Sequence, residues 1–313
     1  MKNKYSLAIH GGAGTILKSS MSAEKEAAYK GVLESSLLAG EEILKNGGSS
    51  LDAVEASVIV LEDSDLFNAG KGSVFTADET HELEASIMCG RTLQAGAIGA
   101  ATSIKNPVMA SRKILDSSDY VYLSGQGADQ FAKEQGCEMV PNSYFYSDFR
   151  YEQLQAARGS SRMKLDHSTD KKFGTVGAVA LDQHGNLAAA TSTGGLVNKK
   201  YGRLGDSSVI GSGVYANDAT CAISCTGYGE FFLRGVVAHD ISCLMEYKGL
   251  SLEEAAQLVI NQKQVALGGE GGIIGVDHNG NCSLVFNSEG MYRGSINDMD
   301  PMPQVGIYGD MLS

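Results

Sequence analysis

The chain of 313 residues is 43% hydrophobic and 20% charged, with 39 glycines, four prolines and no tryptophan. That composition excludes a disordered chain, a collagen-like repeat and a Pro/Gly linker protein. Lys and Arg number 25 against 37 Asp and Glu, a net charge of -12. No basic run exceeds the pairs Lys171-Lys172 and Lys199-Lys200, so neither nucleic acid nor an anionic membrane is an expected partner.

In chain order, residues 6–9 read as a first strand that His10-Gly11-Gly12-Ala13-Gly14 breaks. An amphipathic helix starts near Ser22, with Tyr29, Val32, Leu33, Leu37, Ile43 and Leu44 at helical spacing, and Asn46-Gly47-Gly48 ends it. Ser50 is read as the cap of a second helix. Leu83, Ala85 and Ile87 alternate as a strand, residues 97–101 form another, and Pro107 opens a helix. Residues 120–123 read as a strand, and 128–135 and 151–157 as helices.

Residues 159–172 (GSSRMKLDHSTDKK) are polar and nearly free of hydrophobic side chains, so they read as an exposed connector. Beyond it, 176–181 with 187–192, and 273–276 with 283–286, form two hairpins that share a D-x-x-G-N turn. A strand at 219–225 and helices at about 230–246 and 252–265 lie between them. Hairpins together with grouped helices predict a layered α/β sandwich rather than a doubly wound βαβ repeat.

The six cysteines (Cys89, Cys137, Cys221, Cys225, Cys243 and Cys282) form no CxxC pair and no Cys/His metal spacing. Cys221 and Cys225 share one strand face and read as buried free thiols. The start MKNKYSLAIHGGAG holds no apolar run of signal-peptide length, and nowhere do about 18 consecutive apolar residues occur. The cytoplasm is the expected location.

The chemistry-bearing residues gather at successive strand ends. Gly174-Thr175 opens a strand just after the connector, and Thr191-Ser192-Thr193-Gly194-Gly195 follows one strand later. Then come Gly202-Arg203-Leu204-Gly205-Asp206-Ser207 and Thr226-Gly227-Tyr228-Gly229-Glu230. Singly, each has a plain structural explanation. Threonine favours strand starts, Arg203 with Asp206 suits a surface ion pair, and Thr226 suits a helix start. His10–Gly14 resembles a phosphate loop but lacks both the GK[ST] ending and G-x-G-x-x-G spacing.

Taken together, H-G-G-A-G-T (10–15), F-N-A-G-x-G-x-V-F-T (67–76), G-T-V-G-A-V-A-L-D (174–182), A-A-A-T-S-T-G-G (188–195), G-R-x-G-D-S (202–207) and S-C-T-G-x-G-E (224–230) resemble the plant-type L-asparaginase / isoaspartyl peptidase family of N-terminal nucleophile hydrolases. The resemblance runs from about residue 6 to 308. It implies a four-layer αββα sandwich with mostly antiparallel sheets, one domain over 1–313. It also implies an inactive precursor that cuts itself between Gly174 and Thr175, giving an α chain of 1–174 and a β chain of 175–313.

The resemblance further implies that Thr175 is the nucleophile and that Thr193 orients it. Thr226 and Gly227 would form the oxyanion hole. Arg203 would hold the substrate α-carboxylate and Asp206 its α-ammonium, helped by the backbone around Gly227 and Gly229. L-Asparagine and β-aspartyl (isoaspartyl) dipeptides are the implied substrates, with no cofactor for catalysis and an (αβ)₂ dimer of cleaved precursors as the assembly. The loop after the second helix would wrap a structural sodium ion with the main-chain carbonyls of Leu61, Glu62, Ser64, Phe67, Ala69 and Lys71. The alternatives are a glycosylasparaginase-type hydrolase, whose relatives carry T-G-D-G, and an uncleaved, non-catalytic binding protein on the same scaffold. Two departures from the family pattern are the short connector and Tyr228, where many bacterial relatives have threonine; Tyr228 is expected to reshape the leaving-group side.

Overall fold

The computed structural model describes residues 4–117, 119–159, 174–309 and 312. Apart from Gly159, which ends a helix, the expected connector lies outside the described residues. The strands are β1 (Ser6–Gly14), β2 (Leu83–Cys89), β3 (Ala95–Ala101), β4 (Tyr122–Ser124), β5 (Val176–Leu181) and β6 (Leu187–Thr193). They continue as β7 (Val214–Ala216), β8 (Cys221–Gly227), β9 (Gly271–Asp277), β10 (Cys282–Phe286), β11 (Gly290–Asn297) and β12 (Gln304–Tyr308). An eight-stranded sheet has the order β12-β11-β1-β5-β6-β2-β3-β4, and a four-stranded sheet the order β10-β9-β8-β7. All pairs are antiparallel except β3 with β4.

Side-chain alternation explains the layering. Along β5, Val176, Ala178 and Ala180 face α2 (Ser50–Glu62), in a core with Val54 and Val58 that α1 (Ala23–Lys45) joins through Leu33 and Leu37. Val179 and Leu181 point the other way, into a layer shared with Ala222, Ile274 and Val276 of the small sheet. The small sheet's outer face (Cys221, Ile223, Cys225) is covered by helices carrying Ile241, Leu244, Leu252 and Ala255. Strands covered on both faces have no polar face, which is why β5 and β6 are buried throughout. The result is the four-layer αββα sandwich. Cys221 and Cys225 are buried free thiols on one face.

The helix caps are local. Ser22 accepts from the Lys25 N–H, and Ser49, rather than Ser50, accepts from the Asp52 N–H and caps α2. Helices α1 and α2 cross closely at Gly40, where a Cβ would stand 2.4 Å from Ser57 Oγ. Ser36 and Ser57 lock the crossing by donating to each other's carbonyls at 2.9 and 3.0 Å.

Several segments differ from the expectation. The glycines after His10 do not end β1; a bulge between His10 and Gly12 lets pairing with β11 run to Gly14, whereas pairing with β5 stops at His10. Between β3 and the connector lie α3 (Pro107–Ser117), α4 (Gly125–Glu134) and α5 (Asp148–Arg158). The helix expected over 230–246 is two, α6 (Gly229–Gly235) and α7 (Val237–Lys248), separated by Val236 in left-handed conformation with φ 47°. Helix α8 (Leu252–Leu258) continues into a π-helical turn, Val259–Gln264. Among the described residues no helix is long and apolar enough to cross a membrane.

Candidate active site

The same alternation aims the candidate residues. Thr193 has the parity of Leu187 and Ala189, which face the small sheet, while Ser192 turns toward the helices and donates to Glu62 Oε1 at 2.6 Å. Thr175, just ahead of β5, shares the inter-sheet side with Gly177, where a Cβ would stand 2.0 Å from Ser224 Oγ. Both threonines therefore open into one cleft at the mouth of the sandwich, together with Gly174, Asn68, Arg203, Asp206, Ser207, Gly227 and Gly229.

Within the cleft, Thr175 Oγ1 donates to Thr193 Oγ1 at 3.2 Å and lies 3.5 Å from Ser207 Oγ. Thr193 Oγ1 also accepts the Gly195 N–H at 3.0 Å, which fixes its rotamer. Gly174 is pressed against the backbone of Asn68: a Cβ would stand 2.6 Å from Asn68 N. Asn68 in turn binds the segment after β6, with Nδ2 donating to Gly195 O at 2.7 Å and its carbonyl accepting the Gly194 N–H at 3.0 Å.

His10 stands behind Thr175. Burial holds its imidazole down to about 3, against the opposing pull of the Thr175 carbonyl, so the ring is neutral. A carbonyl can only accept, so Nδ1–H donates to Thr175 O at 3.0 Å and Nε2 accepts from Ser224 Oγ at 2.8 Å.

Across the cleft, Arg203 makes a bidentate pair with Glu230, Nε and Nη2 each 2.9 Å from a carboxylate oxygen. The ion pair is thus with Glu230, not with Asp206 three residues on. Asp206 is 4% exposed, and its Oδ2 has no hydrogen-bond partner among the described residues. Burial pushes its carboxyl up to about 7; Arg203 works against this, while Glu84 and Glu230 add to it. Gly229 sits over both groups, since a Cβ there would stand 2.8 Å from Arg203 Nη2 and 2.9 Å from Asp206 Oδ1.

Thr226 is fully buried, and its hydroxyl accepts the Ala13 N–H at 3.2 Å. Thr226 is not among the cleft residues, although the adjacent Gly227 is. A hydroxyl that accepts one bond still has its own proton to donate.

The expected ion loop runs from the end of α2 through a short turn at Gly70–Gly72. The carbonyls of Glu62 and Phe67 point at glycines: a Cβ would stand 2.4 Å from Glu62 O at Gly70 and 2.1 Å from Phe67 O at Gly72. Leu61 O and Ala69 O accept backbone N–H groups from Ser64 and Gly72, each keeping a second lone pair. Glycine at positions 70 and 72 leaves room beside the Glu62 and Phe67 carbonyls, and hard oxygen donors of this kind suit a cation.

Four residues gain a place that the sequence reading did not give them: Asn68, Ser207, Glu230 and His10. Each lay inside a quoted motif; their contacts span long sequence separations that no local spacing reports.

The asparaginase family profile matches residues 3–307. The chain is 51% identical to an isoaspartyl peptidase of Salmonella typhimurium over 313 residues, covering 98% of this chain and 99% of that one. It is 50% identical to an isoaspartyl peptidase of Escherichia coli, covering 97% and 96%. An isoaspartyl peptidase/L-asparaginase of Xenopus laevis is 40% identical, covering 96% and 94%.

Proposed function

This chain belongs to the asparaginase family, and on that premise we propose that it is a self-activating isoaspartyl peptidase and L-asparaginase with Thr175 as nucleophile. The observation that carries the reading is Thr175 Oγ1 held 3.2 Å from Thr193 Oγ1, next to Gly174 and across one cleft from Arg203 and a buried Asp206 oxygen with no hydrogen-bond partner among the described residues.

Activation begins when Thr175 Oγ attacks the Gly174 carbonyl carbon. The C–N bond breaks as the ester forms, the proton passes to the leaving nitrogen, and water hydrolyses the ester. Gly174 leaves that carbonyl unhindered. The cut creates an α-amino group on Thr175 with a reference pKa of about 7.7–8.0, so one residue supplies both nucleophile and base. An amide nitrogen cannot serve as that base, so the precursor is inactive.

For the substrate, the Arg203 N–H groups that Glu230 leaves free take the α-carboxylate and Asp206 takes the α-ammonium. That charge pair binds a zwitterion despite the protein's net charge. Thr175 then attacks the side-chain carbonyl, and the oxyanion receives the Thr226 hydroxyl and Gly227 N–H, a device worth about 3–4 kcal/mol per donor. Ammonia or the peptide amine leaves, and water releases L-aspartate from the threonine ester.

The carbonyls of Leu61, Glu62, Ser64, Phe67, Ala69 and Lys71 would hold a sodium ion that supplies charge to fix the loop carrying Asn68. The assembly is read as (αβ)₂. The six free cysteines suit a reducing cytoplasm. Mass analysis of incubated protein tests the proposal: two fragments split before Thr175 are expected, and a permanently intact chain with hydrolytic activity would sink it.

A further inference from the structure

Behind the clamp lies a carboxylate with no role in the chemistry above. Glu84, on β2, is fully buried. Its Oε2 accepts two hydrogen bonds from the loop that bears the clamp, the Gly205 N–H at 2.8 Å and the Ser208 hydroxyl at 3.1 Å. These donors bracket Asp206 and Ser207. Ser208 gives its proton to Glu84, so Tyr122 is the donor in the 2.8 Å contact between their hydroxyls.

The other oxygen, Oε1, has no hydrogen-bond partner among the described residues and lies 3.8 Å from Lys199 Nζ. Lys199 is 1% exposed and donates to Glu82 O at 2.9 Å. A Cβ at Gly195 would stand 3.0 Å from Lys199 Nζ and 3.2 Å from Glu84 Oε1, so the pair lies directly beneath the cleft wall. A buried ion pair is a poor stability device, because desolvation offsets most of the attraction. A fixed acceptor for the clamp loop is what this one supplies.

We infer that Glu84 is a positioning residue for the substrate clamp, setting where Arg203 and Asp206 stand by holding the loop between them, with Lys199 balancing its charge. The inference rests on reading Arg203 and Asp206 as a zwitterion clamp. Its charge has a second effect. The groups acting on or beside Asp206 are Arg203, Glu84, Glu230 and the Cys225 thiol, and cleavage would add the Thr175 amine to the same cleft. Removing the Glu84 charge makes Asp206 easier to ionise.

The test uses cleaved enzyme, verified by mass, on L-asparagine and on succinamate, which lacks only the α-amino group. Glu84→Ala is expected to raise KM for asparagine about tenfold with kcat little changed, and to narrow the preference over succinamate. Glu84→Gln, which keeps an acceptor oxygen, is expected to recover much of that KM. It should nevertheless move the lower acid inflection of kcat/KM, the one from Asp206 beneath that of the Thr175 amine, to lower pH while leaving the kcat limb in place, because kcat reports the complex in which Asp206 is already paired. If Glu84→Ala does not fold, the double variant E84A/K199M removes both buried charges and is expected to give the same KM rise. A fall in kcat with KM, preference and pH limbs unchanged overturns the inference. Wild-type enzyme that does not distinguish the two substrates overturns the clamp reading instead.

Discussion

His10 Nδ1 lies 3.0 Å from the carbonyl oxygen of Thr175, across 165 positions of sequence. A neutral, buried ring thereby fixes the backbone on one side of the proposed scissile bond, while Asn68 packs against Gly174 on the other. Replacing His10 with Ala is expected to slow cleavage, read as intact chain by mass. It should also cost about 1–3 kcal/mol of stability in denaturant melts, because two buried groups lose their partner.

Thr175→Ala is expected to leave the chain uncut and inactive. Thr193→Ala is expected to lower kcat roughly 100-fold or more, since a misdirected nucleophile loses its near-attack geometry. Steady-state kinetics on L-asparagine check both, and a Thr175→Ala protein that still hydrolyses it would exclude the nucleophile assignment.

Gly174→Ala probes the crowding directly. A Cβ would stand 2.6 Å from Asn68 N, so the backbone must shift before Thr175 can reach the carbonyl. Cleavage is expected to slow strongly, as followed by the time course of fragment appearance on a denaturing gel.

Glu230 holds two of the Arg203 donors. Glu230→Ala is expected to raise KM for asparagine and for every β-aspartyl dipeptide alike, because all present the same α-carboxylate. Arg203→Ala should abolish measurable turnover of each. An effect confined to one substrate would show that the arginine contacts the leaving group instead.

Asp206 gives a prediction with opposite signs for activity and stability. Its carboxyl is raised to about 7 by burial, so the folded state binds a proton more tightly than the unfolded chain. Its stabilising contribution is complete below the ordinary carboxylate range and is lost as pH rises through about 7. Binding an ammonium needs the ionised form, so Asp206 adds a second fall in kcat/KM as pH drops through about 7, beneath the one set by the Thr175 amine. Asp206→Asn is expected to cut kcat/KM sharply yet raise Tm at pH 8 by about 2–4 °C. An unchanged Tm across pH 6–8 in both proteins would rule out this titration.

Much of the fold is written in the alternation of β5 and β6 and in the helical spacing of α1, where local periodicity and the buried surface agree. The places where reading by pattern failed are those that tertiary contacts decide. Val236 interrupts a helical pattern with a left-handed residue that periodicity does not register, although Gly235 beside it is a breaker signal. The glycines after His10 bend a strand rather than end it. Strands β7 and β11 escape pattern reading because β7 is only three residues long and β11 mixes Tyr292, Arg293 and Ser295 among apolar positions. At the site, motif spacing put Thr175, Thr193, Arg203 and Asp206 in one neighbourhood. The partners of His10, Asn68, Glu230 and Glu84 described above lie from 27 to 214 positions away, beyond what local spacing encodes.

The strand order of the large sheet has one more consequence. Strand β1 comes from before the Gly174–Thr175 bond, yet it lies between β11 and β5, which come from after it; β6 likewise borders β2. Severing that bond therefore cannot release either piece, because each holds the other by ladder hydrogen bonds on interleaved strands. It does convert refolding from a unimolecular event into a bimolecular one. Once denatured, the cut protein must find its complement by diffusion, so its recovery is concentration-dependent where the uncut chain's is not.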